Sequence, residues 1–356
     1  MEFKKNVVKC DIGSYTHLIR GIKKSGKTTL FRDIVLEEYG KPEAGLHISL
    51  GNETGAKALD EIYTVEASNW SELREIVDEL VENKEDHEFK IVCLDTVDEF
   101  VKIASAEVIR LHRIKKGEKI DSLNEAFGGY GRGREKLVEL IDSIIASLKK
   151  AGYGVFMIGH TKLRDVKEKT GAEYQQLKSN LTQDYDDIFS NQADIIMTIT
   201  VDKQIEDGVI VGTERYMHFR DDGFIDCGSR LAGMPEKVEY GAREYIDAVN
   251  EGVRASVKNK ITKKDFDKRK ADEAKEREQE GIKFSKKSKE NKVDEDKNSE
   301  IIKKITENIK ELSEDERSEK ADVIREVKKE FSISKFTELI DRPTKDVEEI
   351  YNRIFG

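Results

Sequence analysis

The sequence predicts an α/β fold built on a mainly parallel β-sheet, and two observations carry this prediction. Short apolar segments alternate along residues 15–201 with longer segments whose apolar residues recur at helical spacing. Several of the apolar segments are continuous, which is typical of strands that are buried on both faces of a parallel sheet. Helices that alternate with such strands are expected to cover both sides of the sheet.

The predicted elements follow one another as repeated strand–helix units. The predicted strands are residues 15–19, 47–50, 90–94, 154–159 and 195–201. The predicted helices are residues 28–38, 70–82 and 137–148. The first of these helices is expected to end at Gly40, because glycine is the usual residue just after a helix C-terminus.

Charge and composition exclude several classes of protein. The 356 residues include 63 Lys+Arg and 73 Asp+Glu, a net charge of −10, which argues against a protein that coats nucleic acid through overall positive charge. Any contact with nucleic acid must therefore be local. The apolar runs are far shorter than the ~18 residues of a membrane span, and Met1–Lys5 leads into no apolar signal segment, so a cytoplasmic location without membrane contact is expected.

The three cysteines are expected to be free thiols. Cys10, Cys93 and Cys227 are odd in number, far apart in sequence and without the spacing of a metal site. Such usage fits a reducing compartment better than a disulfide framework, which again indicates the cytoplasm.

The uneven distribution of charge predicts three regions. Residues 1–254 contain 36 Lys+Arg and 47 Asp+Glu, and they are predicted to form the α/β domain. Residues 255–300 contain too few apolar residues to offset the entropy of ordering them, and are predicted to be a charged linker, partly disordered or helical. A DNA-tracking arm is the alternative for this region. Helical periodicity returns in residues 301–356, which predicts a small helical module.

Residues 21–28 carry the motif with the clearest chemical meaning. Their sequence, Gly-Ile-Lys-Lys-Ser-Gly-Lys-Thr, matches G-x4-G-K-[ST] and stands between a predicted strand and a predicted helix. In such a loop, backbone N–H groups wrap a phosphate and the helix N-terminus adds its dipole. The predicted cofactors are therefore ATP and Mg²⁺. The residues predicted to bind the nucleotide are Gly21, Lys24, Ser25, Gly26, Lys27, Thr28 and Thr29.

Three residues, two of them in the P-loop, are candidates for the chemistry of hydrolysis. Lys27 is expected to reach the β- and γ-phosphates, and the Thr28 hydroxyl is expected to bind Mg²⁺. Asp95 follows the apolar segment 91–94 and is the second predicted ligand of Mg²⁺, at the sheet edge where ligands collect in α/β folds.

Hydrolysis also needs a group that positions the attacking water. Glu53, just after the strand 47–50, is the candidate for this role. Asp98 and Glu99 are the alternatives, and both equally suit the start of the next helix.

Two residues are candidates for sensing the γ-phosphate or completing the site. His160 ends the strand 154–159 in a polar tip, where a side chain can bond the γ-phosphate and relay its loss; a partly exposed strand-end histidine is the alternative. Arg230 is a candidate arginine finger that acts on a neighbouring subunit, and a surface ion pair is the alternative of equal weight.

This ordered set of motifs resembles that of phage-encoded RecA-like P-loop ATPases, which include single-strand annealing proteins related to RecA recombinases. The segments that carry the resemblance are the P-loop and residues 50–55, 91–100, 124–131, 154–160 and 228–235. RecA-like ATPases place their catalytic glutamate after the strand that follows the P-loop helix, which favours Glu53. The resemblance implies a RecA-like core that hydrolyses ATP with Mg²⁺, assembles into a ring or filament and acts on single-stranded DNA. It does not extend to the charged tail.

Basic residues with interleaved aromatic residues partly support a DNA-binding role, because single-strand binding needs phosphate neutralisation and base stacking. In RecA-like proteins the loop after the sensor strand faces DNA, so residues 161–190 are predicted to form such a loop. The candidate DNA-binding residues are Arg132, Arg134, Lys162, Arg164 and Lys167. A solvated loop of mixed charge is the alternative, since acidic residues are interspersed.

Two functions are compatible with these residues. The first is a DNA-stimulated ATPase that acts on single-stranded DNA in phage recombination, annealing or replication, in the host cytoplasm. The second is a nucleotide-switched binding module or loader that acts through protein partners without direct DNA binding. In either case, the module 301–356 is a candidate contact for a single-strand-binding or replication protein.

Overall fold

The structure of the protein is a computed structural model, which describes residues 5–53, 55–168, 171–257, 261–290, 295–339 and 342–356. The chain divides into two compact units, residues 1–282 and residues 283–356. The first unit contains the β-sheet and the helices that cover it.

The first unit has the predicted alternation of strands and helices. Its strands are β1 (Thr16–Gly21), β2 (Gly45–Leu50), β3 (Tyr63–Ala67), β4 (Ile91–Asp95), β5 (Gly154–Lys167), β6 (Glu173–Ser179), β7 (Ile195–Glu206), β8 (Val209–His218), β9 (Gly228–Ser229) and β10 (Lys237–Glu239). Its helices are α1 (Lys27–Tyr39), α2 (Trp70–Glu82), α3 (Val97–Lys116), α4 (Arg132–Lys150), α5 (Gln183–Ser190), α6 (Ala242–Ser256) and the first part of α7 (Lys263–Glu290).

The sheet is mainly parallel, as predicted. Its strand order is β10-β8-β7-β1-β5-β4-β2-β3, in which β7 through β3 run parallel to one another. The strands β8, β9 and β10 join antiparallel at one side, and β6 pairs with the extension of β5. Because β5 lies between β1 and β4, the glycine-rich loop after β1 and Asp95 at the end of β4 are separated by one strand.

Burial explains why the central strands read as continuous apolar runs. Every residue of β1, β2 and β4 is buried, and the core also takes Phe31 from α1, Phe156 from β5 and Tyr245 from α6. Removal of this apolar surface from water is the main favourable contribution to folding. Cys10, Cys93 and Cys227 are buried free thiols, as expected.

Residues 161–190 differ from the predicted loop. β5 continues to Lys167 and forms an antiparallel hairpin with β6, and α5 follows this hairpin. The side chains of this hairpin are mostly polar, because a hairpin outside the main sheet has little apolar surface to bury. The sequence therefore lacks the alternation of apolar and polar residues that predicts a strand.

The first unit extends beyond residue 254, the predicted end of the α/β domain. Phe266 of α7 lies in the core, and Arg277 forms an ion pair of 2.9 Å with the buried Asp11. Glu273 accepts hydrogen bonds from the backbone N–H groups of Cys10 and Asp11. Much of this part of the predicted linker therefore packs through charges, which hydrophobic periodicity does not reveal. Residues 258–260 and 291–294 of that linker lie outside the described residues.

The second unit contains α8 (Glu295–Glu311), α9 (Glu314–Glu330) and α10 (Thr344–Phe355). These helices enclose a small core of their own, formed by Ile302, Ile305, Val327, Ile333, Leu339, Val347, Ile350 and Ile354. α9 begins with a capping box between Ser313 and Glu316. Across the described part of both units, no helix is long and apolar enough to cross a membrane.

Candidate active site

The glycine-rich loop joins the carboxyl end of β1 to the N-terminus of α1. Gly26 caps the helix with φ of 99°, and a Cβ atom there would lie 2.5 Å from the Tyr240 hydroxyl, so only glycine fits without rearrangement. The Ser25 hydroxyl is buried and has no hydrogen-bond partner among the described residues. An unsatisfied hydroxyl inside a helix-capping loop fits a bound phosphate, which would accept its hydrogen bond.

Lys27 lies across this loop and is almost fully buried. Its Nζ donates hydrogen bonds to the carbonyl oxygens of Gly21, at 3.1 Å, and Ile22, at 2.9 Å. Burial lowers the pKa of Lys27, while the nearby charges of Asp95 and Glu53 act in the opposite direction. A phosphate in the loop would supply a stronger counter-charge and favour the ammonium form.

Thr28 and Asp95 come together as the sequence predicts for a magnesium site. Thr28 Oγ1 donates a hydrogen bond of 2.8 Å to Asp95 Oδ2. His47 Nε2 lies 3.0 Å from the same oxygen, and His47 Nδ1 lies 3.0 Å from Thr64 Oγ1. The described residues contain no cluster of three or more metal-type side chains. Two protein oxygens nevertheless fit Mg²⁺, which takes its other ligands from phosphate and water.

Glu53 lies beside this pair, in the turn after β2. The Ser49 hydroxyl donates a 2.7 Å hydrogen bond to the Glu53 carbonyl and holds the turn. A Cβ atom on Gly55 would lie 3.2 Å from Thr28 Oγ1 and 3.5 Å from Glu53 Oε1, so both oxygens face the same small space. The structure therefore brings the Glu53 carboxylate close to the predicted metal ligand.

The two alternative carboxylates already interact with other side chains or with the backbone. Glu99 forms an ion pair of 2.6 Å with Lys102 on the same helix. Asp98 accepts hydrogen bonds from the His160 backbone N–H, at 3.1 Å, and from Asn180 Nδ2, at 3.0 Å. Burial raises the pKa of Asp98, but the hydrogen bonds from His160 and Asn180 outweigh it and leave this pKa below its usual value.

His160 lies at the carboxyl edge of the sheet, where β5 passes between β1 and β4. Its backbone registers with Gly21, the first residue of the glycine-rich loop. Its ring Nδ1 lies 3.4 Å from Asp98 Oδ2. The side chain is therefore next to the candidate phosphate site and is oriented by a carboxylate.

Comparison with known proteins identifies the chain by its family. Residues 14–231, more than half of the chain, match the model of the AAA domain family. The protein belongs to the AAA domain family. This membership indicates ATPase activity, and it agrees with the α/β fold and the P-loop geometry described above.

Several solved structures are similar to this chain. One example is the KaiC-like protein PH0186 from the hyperthermophilic archaeon Pyrococcus horikoshii OT3, at 16% identity and a TM-score of 0.30. The similarity covers 58% of this chain and 78% of that one. The chain matches no curated protein.

Arg230 lies away from the P-loop of its own AAA domain. It follows β9, which pairs with the first residues of β7, and Ile195 of β7 registers with His17 at the amino end of β1. Arg230 forms a 2.9 Å ion pair with Asp194. Its role toward a neighbouring subunit stays a prediction.

Three of the candidate DNA-binding residues interact with neighbouring carboxylates or carbonyl oxygens. Arg134 forms an ion pair of 2.8 Å with Asp184, and Lys167 forms one of 2.7 Å with Glu173. Arg164 donates hydrogen bonds to carbonyl oxygens in the segment 179–181.

The two remaining candidates, Arg132 and Lys162, form no ion pair among the described residues. Arg132 makes a long hydrogen bond of 3.4 Å to the Phe127 carbonyl. Lys162 is exposed.

Sequence reasoning missed four residues that the fold brings to the site. They are His47, Asn180, Arg215 and Tyr240, and none belongs to a motif. Arg215 Nη1 lies 3.5 Å from the Ser25 carbonyl oxygen, and the Tyr240 hydroxyl donates a 2.8 Å hydrogen bond to the Gly26 carbonyl. Only His47 had a local signal, because a histidine in an otherwise apolar strand needs a partner.

Proposed function

We propose that the protein is a Mg²⁺-dependent ATPase that binds single-stranded DNA through the β5–β6 hairpin and couples this binding to its nucleotide state. The resemblance to phage RecA-like ATPases supports recombination, annealing or replication as the setting, with a ring or filament as the active assembly. In the same scheme, the second unit binds a single-strand-binding or replication protein.

The contacts around the P-loop support hydrolysis of ATP. Lys27 would neutralise charge on the phosphates, while Thr28 and Asp95 would hold Mg²⁺. The metal, when bound, would neutralise negative charge that develops on the phosphates during hydrolysis. The Glu53 carboxylate, beside Thr28, orients a water molecule and accepts its proton.

The observation that carries the DNA-binding part is a pair of lysines on the hairpin. Lys162 of β5 lies directly opposite Lys178 of β6 in the antiparallel register, and neither forms an ion pair within the described residues. Like charges in such a pair destabilise a hairpin. A phosphate between the two ammonium groups removes the repulsion, and a strand of nucleic acid supplies phosphates in series.

An aromatic side chain lies on the same face of the hairpin. Tyr174 is four residues before Lys178 on β6, so both side chains project to one side. Tyr174 packs edge-on against the exposed Phe224, with ring centroids 6.1 Å apart. Two cations and two aromatic rings on one surface match the phosphate and base contacts that single strands use.

The proposal is tested by ATP turnover with and without an oligothymidylate, together with fluorescence anisotropy of the labelled oligonucleotide. We expect the DNA to stimulate turnover and the Lys27→Ala variant to lose turnover in both conditions. The double variant Lys162→Gln, Lys178→Gln is expected to bind DNA at least tenfold more weakly and to reduce the salt slope by about 1.4, or ~0.7 for each lost phosphate contact. Lys149→Gln is the matched control, because Lys149 is an exposed lysine in the last turn of α4, outside the hairpin.

Two outcomes contradict the proposal. Wild-type protein that binds no oligonucleotide at low salt, in any nucleotide state, would instead support the nucleotide-switched module that acts through protein partners. Equal DNA affinity for the double variant and the Lys149→Gln control would remove the hairpin from the binding surface.

A further inference from the structure

We propose that Arg215 and Tyr240 form the subsite that holds the nucleobase of the bound nucleotide. This inference rests on the proposed binding of ATP and adds the side chains that recognise the end of the nucleotide remote from the metal.

The strand order sets the direction in which the nucleotide lies. Asp95 is the last residue of β4, which lies two strands from β1 on one side. Its contact with Thr28 places the candidate metal site on that side. Arg215 lies on β8, two strands from β1 on the other side. With neighbouring strands ~4.8 Å apart, each residue belongs to a strand ~10 Å from β1. A nucleotide whose γ-phosphate faces Asp95 and Glu53 therefore has its base on the side of Arg215.

Hydrogen bonds fix the two side chains against the P-loop. The Tyr240 hydroxyl donates to the Gly26 carbonyl at 2.8 Å, and the Tyr240 backbone N–H donates to the Arg215 carbonyl at 3.0 Å. The hypothetical Cβ of Gly26 would lie 2.5 Å from the Tyr240 hydroxyl and 2.7 Å from Arg215 Nη1. Both side chains thus contact the residue that precedes Lys27.

The chemistry of the pair suits a flat aromatic ligand. The guanidinium carbon of Arg215 lies 4.4 Å from the centroid of the Tyr240 ring, which is a cation–π contact. Arg215 is exposed and forms no ion pair with a carboxylate among the described residues. Its guanidinium therefore keeps a face available for stacking, and a nucleobase offers the matching π surface.

The test compares ATP with inorganic tripolyphosphate, which has the phosphates and lacks the base. Dissociation constants are measured by calorimetry with Mg²⁺ for wild-type protein, Arg215→Ala, Tyr240→Ala and Tyr240→Phe. We expect each alanine variant to weaken ATP binding about tenfold, the scale of one lost stacking contact, and to change tripolyphosphate binding less than twofold. Tyr240→Phe keeps the ring and is expected to bind ATP within threefold of wild type.

Controls separate this inference from loss of folding and from failure of the proposed function. Arg220→Ala removes an exposed arginine just after the C-terminal end of β8 and is expected to leave both affinities unchanged. The unfolding midpoint of each variant without ligand shows whether the fold is intact. Equal losses for ATP and tripolyphosphate would assign Arg215 to the phosphates and overturn the inference, as would unchanged ATP affinity in both alanine variants. Wild-type protein that binds neither ligand would refute the nucleotide site itself.

Discussion

Asn180 Nδ2 donates a 3.0 Å hydrogen bond to Asp98 Oδ1, while the other oxygen of Asp98 accepts from the His160 backbone N–H. His160 and Asn180 are the two ends of the β5–β6 hairpin, and the Asn180 backbone N–H also bonds the His160 carbonyl at 2.8 Å. Asp98 comes three residues after Asp95, the candidate metal ligand. One carboxylate, in the first turn of α3, thus connects both ends of the proposed DNA-binding hairpin to the helix that follows the candidate metal ligand.

This connection predicts that Asn180→Ala uncouples DNA binding from ATP turnover. We expect ATP affinity within twofold of wild type, because Asn180 contacts no P-loop residue in its described hydrogen bonds. Stimulation of turnover by DNA is expected to fall about fivefold, within the usual range for residues that couple two sites. Steady-state turnover over a range of oligothymidylate concentrations measures this. Asn191→Ala, an exposed asparagine after α5, is the control, and full stimulation in Asn180→Ala would contradict the connection.

Glu53→Gln is predicted to bind ATP and to hydrolyse it at least about 100-fold more slowly, the lower end of the usual contribution of a general base. The amide keeps the size of the side chain and removes its capacity to accept a proton. Single-turnover hydrolysis and calorimetric binding separate the two effects. Glu99→Gln is the matched control and is expected to keep turnover within threefold, because Glu99 pairs with Lys102. Wild-type turnover in Glu53→Gln would refute the assignment.

The stability of the first unit is predicted to fall as the pH falls from about 6.5 to about 4. His17 is fully buried, with Nε2 2.9 Å from the Ile12 carbonyl oxygen and Nδ1 2.7 Å from the Tyr245 hydroxyl. Burial lowers the pKa of His17 to about 4. In this pH window the unfolded chain binds a proton that the folded protein does not. His17 therefore contributes a slope of up to about 1.4 kcal/mol per pH unit.

Urea unfolding at several pH values tests this prediction. His17→Gln cannot take up the proton and is expected to show a flatter dependence of unfolding free energy on pH between 4 and 6.5. His87→Gln, at a more exposed histidine, is the control and should keep the wild-type slope. Parallel curves for wild type and His17→Gln would show that another group causes the pH dependence.

Arg277→Ala is predicted to lower the free energy of unfolding by about 3 kcal/mol, because it leaves the buried Asp11 carboxylate without its counter-charge. Denaturant unfolding of the full chain measures the change. Glu276 lies next to Arg277 on α7 and forms an exposed ion pair with Lys9. Lys9→Ala removes this ion pair and is expected to lower the free energy of unfolding by about 0.5 kcal/mol or less. Similar small effects for both variants would show that α7 is not part of the stable first unit.

Local sequence patterns were sufficient to predict the fold class and the candidate residues that would contact the phosphates and the metal. The P-loop, Thr28 and the strand that ends at Asp95 are contiguous patterns, and burial of whole strands makes them readable as apolar runs. The P-loop, Thr28 and Asp95 depend on neighbours in the chain, so spacing and periodicity predict them. Glu53 follows the strand 47–50 and is favoured by the resemblance to RecA-like ATPases, and its catalytic role stays a prediction.

The rest was decided by tertiary structure. Arg215 and Tyr240 reach the P-loop because β8 lies two strands from β1, a neighbour relation that no local pattern encodes. Asn180 contacts Asp98 because the β5–β6 hairpin brings the end of β6 back beside His160 of β5. α7 joins the first unit largely through ion pairs such as Arg277–Asp11, and charged residues look the same in sequence whether they are solvated or paired. Contacts between distant segments depend on strand order and charge pairing, which are set only when the chain folds.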